Sequence, residues 1–537
     1  MMTRCLLTTC ICLLSVTVAS AQQYGLEDMS LERWAKLREV ERHQLQIAEK
    51  YYREKKWAVA ISEYDKYLSL YERSDAASYS MLKWSLAHIQ LRKANTAIRD
   101  GFQSVVDYWP DSPDAVAAAY FIARTYKDIG QLKKAKSEYR KVLAKHPKHL
   151  AAVRTMADLI DVSNVEKDEK TRVEMWKRLT FDVPRTKQTR TLCARAAQQL
   201  SAFQFEAGAF DEAVTALATT YNEVDLPEQV FAYARAPIGR LIASSETETK
   251  GRRLADALIA YLKSAAPDGT EEEAQTRAKQ MWYLIAETEM LARRQARVAE
   301  VFQQIIKQFG VDDVTLGRLA AWQKSQTEFE QARATYRKFK DQLEGLNQVA
   351  NSYRQEKNYA AAVRTYGQLA GQDAENAARW QAEAAMTHRE AKAYPQAIAI
   401  YEGLMKTDVE NADRWLWELA TCYRDSGKDK EAVAYYRQSN NFPENYKQMA
   451  ACHRRLKQYN EAIVLYNQIV GGHAASAPWA TLQIAYTREQ AGQKEPAIKS
   501  FQEVCRKYPK DSHASAAHAH LQTKYKISVT LGGVKDE

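Results

Sequence analysis

Residues 115–147 read AVAAAYFIARTYKDIGQLKKAKSEYRKVLAKHP. Apolar side chains recur at helical spacing twice in this stretch. The first run is Ala119, Ile122, Ala123 and Tyr126, and the second is Leu132, Ala135, Tyr139 and Val142. Gly130 stands between the runs, where it can end a helix with positive φ at little steric cost. Pro147 stops the second helix. The stretch therefore predicts an antiparallel helix hairpin. A small side chain on each helix, Ala123 and Ala135, lets the axes approach closely, and the aromatic Tyr126 and Tyr139 fill the space beside them.

The same positions recur along the chain, and together they resemble the tetratricopeptide repeat, whose period is about 34 residues. Ala123 takes its first small position, Ala135 the second, Tyr139 the large aromatic and Pro147 the stop. Upstream the pattern reads Ala48, Tyr51, Ala60 and Tyr64, then Leu86, Ile98, Phe102 and Pro110 with Gln90 in the tyrosine position. Residues 151–187 are expected to stretch the connection through Asn164–Lys170, with Trp176 as the aromatic. Gly208-Ala209-Phe210-Asp211-Glu212-Ala213 matches the repeat's turn and second-helix start. From 228 to 280 the pattern fades into Gln229–Ser244 and Arg252–Ser264, read as a degenerate hairpin and a joint. Downstream the second small position falls at 332, 362, 397, 432, 462 and 497, in steps of 30, 35, 35, 30 and 35. A step of 30 still holds two helices with a shortened connection or helix end.

The expected fold is an all-α superhelical solenoid of about a dozen antiparallel helix hairpins. At 537 residues the chain is too long for one compact core, and 19 Gly and 12 Pro leave little room for long loops. The expected organisation is a signal peptide at 1–21, N-terminal repeats at 22–187, and degenerate repeats at 188–280. C-terminal repeats follow at 281–511, with a capping helix and tail at 512–537. A solenoid end needs its apolar face covered, which Ser512–Lys526 would do. Thirty Tyr against thirteen Phe suit half-buried rings whose hydroxyls reach water. Leu31–Lys56 reads as one amphipathic helix through Trp34, Leu37, Val40, Leu45 and Ala48.

Arg4, the apolar run Leu6–Val18 and the small-x-small site Ala19-Ser20-Ala21 predict a secretory signal with cleavage before Gln22. No later run approaches a membrane-spanning length. The formal charge of +10 falls to +9 once Arg4 is removed, which favours anionic partners or a solvated basic surface. Cleavage also leaves Cys193, Cys422, Cys452 and Cys505, four scattered thiols that suit packing positions better than a disulfide framework.

Motifs for nucleotide, metal or acyl-transfer chemistry do not occur, so no cofactor and no catalytic residue are expected. His513, His518 and His520 do not converge on one helical face, which suits surface residues rather than a metal site. The feature that stands out is a basic ladder. Four residues after each first small alanine come Lys324, Arg354, Arg389, Arg424 and Arg454. In tetratricopeptide repeats this face lines the concave groove, so the resemblance implies a grip on an acidic peptide or carboxylate. The competing explanation is that cations in the last turn of a helix are favoured by its dipole, by roughly 0.3–1 kcal/mol each. Asn347 and Asn351 do not complete the carboxylate clamp of chaperone-binding members, because the matching lysines are missing.

The expected function is a non-catalytic scaffold that binds a protein or peptide partner. Trp109-Pro110-Asp111-Ser112-Pro113-Asp114-Ala115 and Lys507-Tyr508-Pro509-Lys510-Asp511-Ser512 resemble the joints of periplasmic tetratricopeptide proteins of outer-membrane assembly and cell-envelope constriction. That resemblance implies an exported, periplasmic setting. The alternatives are an accessory subunit of an envelope enzyme complex and a helical-repeat RNA binder. The signal peptide argues against nucleic acid, and no repeating pair of base-reading positions is visible.

Overall fold

A computed structural model describes residues 25–531, and the expected signal segment lies outside them. Every regular element among the described residues is helical. The helices pair into antiparallel hairpins, each packed on its neighbours in sequence, which makes the fold an all-α solenoid. The chain divides into two compact units, Met1–Val301 and Phe302–Glu537.

Residues 115–147 fall in the hairpin of Pro113–Asp128 and Leu132–Lys145. Ser112 caps the first helix by accepting from the Ala115 amide at 3.2 Å, and Pro113 opens it. Gly130 turns the chain at φ +77°. Ala123, Ala135 and Tyr139 are fully buried. Most other hairpins turn at the same place through a left-handed residue, yet that residue is often a long cation: Lys55, Arg92, Lys167, Arg293, Lys357, Lys392 and Lys457. A glycine search along the sequence therefore misses most of these turns.

The large aromatic is more buried than the composition suggests. Tyr64, Tyr139, Tyr366 and Tyr436 have no appreciable exposure, and their hydroxyls bond side chains rather than reach water. Tyr64 donates to Glu49 at 2.6 Å and Tyr366 to Asn351 at 2.9 Å, while Tyr436 and Thr421 are 2.9 Å apart. In these three the partner sits fifteen residues upstream, just after the small alanine of the facing helix. A buried hydroxyl needs such a partner, and this register supplies one.

Three local expectations are corrected, and the hairpin expected from Gln229–Ser244 and Arg252–Ser264 is present. Leu31–Lys56 is two helices, Leu31–Lys36 and Glu39–Arg53, because Leu37 and Arg38 are extended. Glu41 accepts from the Arg38 amide at 2.7 Å and restarts the helix, which leaves Val40 exposed. In the second hairpin the chain becomes π-helical at Ala97–Phe102, and the closest approach falls at Ser85 and Gly101 rather than at Leu86 and Ile98. A Cβ on Gly101 would stand 2.1 Å from the Ser85 hydroxyl. Asn164–Lys170 is no stretched loop: Leu150–Glu166 runs on, Lys167 turns at φ +57°, and Asp168 caps Glu169–Phe181. Residues 226–265 form a full hairpin, Leu226–Ala243 and Glu248–Ala265. Its Val230, Ile238, Leu254 and Leu258 join one core with Phe205 and Ile285.

In the second unit the short steps have a single cause. Phe329–Tyr336 and Asp429–Tyr436 are second helices of 8 residues, where Tyr359–Gln372 and Tyr459–Gly472 have 14. The next hairpin closes directly on the end of each short helix. A Cβ on Gly345 would meet the Tyr336 carbonyl oxygen at 2.6 Å. At the equivalent place Asn445 donates Nδ2 to the Ser439 carbonyl at 2.8 Å. These two places are 100 residues apart, and so are the helix starts: Tyr359 and Tyr459, Ala377 and Ala477, Tyr394 and Lys494. Residues 313–407 and 413–507 are thus two blocks of one architecture. After the second block, Ser512–His520 and the π-helical Leu521–Tyr525 lay Ala514, Ala517 and Leu521 over Phe501 and Val504.

Candidate functional site

The five cations of the ladder each stand in the last turn of the first helix of a hairpin. The hairpins repeat, so the cations fall on one face of the second unit, and the structure shows what each one holds. Lys324 lies over the Tyr336 ring, 5.5 Å from its centroid. Arg354 gives Nη1 to Glu383 and Nη2 to Glu390, both at 2.9 Å. Arg389 gives Nη1 to Glu418 at 2.6 Å. Arg424 gives Nη1 to Gln448 at 2.7 Å and bonds Asp425 through Nε and Nη2 at 2.9 and 2.8 Å. Arg454 gives Nη1 to Gln483 at 3.0 Å and Nε to Gln490 at 2.9 Å.

The acceptors are what sequence reasoning missed. Glu383, Glu418, Gln448 and Gln483 all stand two residues before the first small alanine of the next hairpin. Glu390 and Gln490 stand five after it, while Asp425 stands five after Ala420 in Arg424's own helix. Each arginine therefore reaches into its own or the following hairpin's first helix. The four arginines are stitches between repeats, a third role beside groove and dipole. The register was visible in the sequence, but only alignment of each repeat with its successor would have exposed it.

The charge balance along the ladder is uneven, and Lys324 forms no ion pair with a carboxylate among the described residues. Two carboxylates face Arg354, one faces Arg389, and one from its own helix end faces Arg424. No carboxylate forms an ion pair with Arg454 among the described residues. Burial opposes the charge on Arg389, but Glu418, with Tyr401 and Cys422, outweighs it and raises the pKa. Asn351 and Asn347 are engaged locally: Asn351 accepts from Tyr366 and donates to Asn347 at 3.2 Å.

Other residues singled out in the sequence are placed apart. His513 bonds Asp511 at 2.6 Å and His520 bonds Glu489 at 2.9 Å, so the two imidazoles serve different partners. Cys193, Cys422, Cys452 and Cys505, the four cysteines among the described residues, are free and buried. Burial pushes the Cys422 thiol up to about 11 and the Cys452 thiol up to about 12. Such thiols are poor nucleophiles and poor metal ligands.

The first unit also holds a strongly basic segment. Residues 131–195 hold 17 Lys and Arg against eight Asp and Glu, so +9 of the chain's +10 is concentrated there. Lys136 is tied to Glu166 at 2.9 Å and Asp168 at 2.6 Å, while Lys133, Lys145 and Lys148 are exposed. Arg140 and Arg178 flank a cleft of about 250 Å³ floored by Leu143, Leu159 and Met175. Net positive charge of this size favours anions and is screened by salt.

The hairpin geometry agrees with the family models that match. A tetratricopeptide repeat model covers residues 116–144, and a second covers 479–511. Tetratricopeptide-repeat families are found in this chain. The model for subunit 3 of the anaphase-promoting complex, or cyclosome, matches residues 390–469, which include Arg424 and Arg454. No curated protein matches the sequence. Among solved structures, Naa15/Naa10 bound to HypK-THB is similar at 12% identity and a TM-score of 0.43, over 90% of this chain and 71% of that one. The Cut9–Hcn1 hetero-tetramer of the anaphase-promoting complex is similar at 13% and 0.26, over 92% and 99%. Yeast Tom70 is similar at 12% and 0.27, over 88% and 99%. Among the described residues no helix is long and apolar enough to cross a membrane.

Proposed function

We propose that this protein is a non-catalytic scaffold, exported to a bacterial periplasm, that binds an acidic protein or peptide along the first-helix face of its second unit. The observation that supports the reading is the ladder itself. Lys324, Arg354, Arg389, Arg424 and Arg454 occupy one register in successive hairpins. The four arginines are fixed by hydrogen bonds rather than left to wander, which lowers the entropy a partner must remove on binding. Among the four arginines and the described residues, Arg454 alone is held by amides with no carboxylate, which leaves its charge uncompensated. Export is supported by Arg4, the Leu6–Val18 run and Ala19-Ser20-Ala21.

The test uses a partner captured from envelope extract and then purified. Titration compares the wild type with the variant carrying Arg389→Gln, Arg424→Gln and Arg454→Gln, at two salt concentrations. Loss of binding in the variant, and weaker wild-type binding at high salt, is the expected result. Equal affinity with folding intact would leave the ladder as stitching alone. N-terminal sequencing from envelope fractions is expected to begin at Gln22, and an intact Met1 would overturn export.

A further inference from the structure

Arg354 and Arg454 are the same residue of the two blocks, 100 positions apart. Their acceptors keep the same spacing. Arg354 lies between Glu383 and Glu390, and Arg454 lies between Gln483 and Gln490. An amide oxygen accepts a hydrogen bond as a carboxylate does, but it carries no formal charge. The second block therefore keeps the geometry that orients the guanidinium and drops the charge that would neutralise it. The amides engage Nη1 and Nε of Arg454, and neither engages Nη2. The neighbouring carboxylate Glu489 is committed to the C-terminal cap, through His520 Nε2 at 2.9 Å, Lys524 Nζ at 3.1 Å and the Tyr525 hydroxyl.

We propose that Arg454 is the anchor for a carboxylate of an acidic peptide, and that Arg354 is its closed counterpart. At Arg354 the protein's own Glu383 and Glu390 supply what the ligand supplies at Arg454. The inference rests on the reading that this face takes an acidic partner, and it adds which arginine of the ladder is open and why. A guanidinium and a carboxylate make a charge-assisted bond about twice as strong as a neutral one. Gln483 and Gln490 fix Arg454 beforehand, so the bond forms without reorganisation.

The probe is fluorescein-labelled hexaglutamate, followed by fluorescence anisotropy with the full chain at low salt, with unlabelled hexaglutamine as the neutral competitor. Circular-dichroism melts confirm that each variant is folded. Gln483→Glu with Gln490→Glu rebuilds the Arg354 environment around Arg454 and is expected to weaken binding about tenfold, as is Arg454→Gln. Glu383→Gln with Glu390→Gln opens Arg354 and is expected to add a second binding equivalent. Hexaglutamine is expected not to compete. If the Gln483→Glu, Gln490→Glu variant binds as tightly as wild type while Arg389→Gln with Arg424→Gln abolishes binding, Arg454 is not the anchor and the acidic-partner face stands. If wild type does not bind hexaglutamate at all, both the anchor and the acidic-partner reading are overturned.

Discussion

In residues 313–407 an arginine at the end of a first helix is neutralised by two glutamates; in residues 413–507 its counterpart is held by two glutamines. The backbone around them is the same: an 8-residue second helix, then two hairpins with 14-residue second helices. The comparison separates two demands that a stacked repeat makes on one position. Stacking asks for a hydrogen-bond acceptor at a fixed place, and an amide or a carboxylate serves equally well. Charge is a separate choice, and in the second block it is left open.

The largest expected difference between the blocks concerns thiols. Cys422 and Cys452 are buried in the second block, where Trp322 and Ser352 hold the corresponding places in the first. Burial raises both thiols from an ordinary 9.0, to about 11 for Cys422 and about 12 for Cys452. A raised pKa means the folded state holds the proton more tightly. The contribution is therefore full below about pH 9 and is lost as pH rises through the folded values, on the order of 3 kcal/mol each. Urea denaturation at pH 8 and pH 11, wild type against Cys422→Ala with Cys452→Ala, checks this. A pH dependence identical in the two proteins would break the assignment.

Next come the small alanines at helix contact. Ala362 and Ala462 are fully buried at matching places. Leucine at either is expected to overpack and to cost about 1–3 kcal/mol. Because the two contacts repeat, the costs should agree with each other. Hydrogen exchange should rise only in adjoining hairpins, and a rise across the whole chain would contradict solenoid coupling.

The ladder itself should affect stability less. Glu383→Gln with Glu390→Gln is expected to lower stability by about 0.5–1 kcal/mol, because these pairs are partly exposed and screened. Gln483→Glu with Gln490→Glu should raise it by a similar amount in low salt and by less in high salt. A destabilised Gln483→Glu, Gln490→Glu variant would show that repulsion from neighbouring carboxylates such as Glu489 outweighs the attraction of Arg454.

The smallest effect is at the turns. Lys357 and Lys457 sit at φ +62° and +58° in equivalent hairpins. Glycine at either removes the left-handed strain but adds chain entropy to the unfolded state, for a net gain of about 0.5 kcal/mol. Thermal melts of Lys357→Gly and Lys457→Gly should move upward together, and opposite shifts would mean the two turns are not equivalent.

The hairpins are fixed by the residue pattern. Ala123, Ala135, Tyr139 and their counterparts recur at helical spacing, and small-against-small contact between neighbouring helices is a local property that periodicity records. The ladder was legible for the same reason, since Lys324, Arg354, Arg389, Arg424 and Arg454 keep one offset from an alanine. What those cations do is settled by stacking. Glu383 and Gln483 lie 29 residues beyond the arginines they hold, in the next hairpin, and only the packed repeats bring them within 3.0 Å. Packing also settles the turn at Lys167, where a cation takes a conformation that composition assigns to glycine, and the π-helical Ala97–Phe102, where Gly101 must clear Ser85. Helical periodicity reports which face of a helix is buried. It carries no record of which polar group on the neighbouring repeat will stand opposite a given side chain, because that depends on how far each second helix runs before the chain turns back.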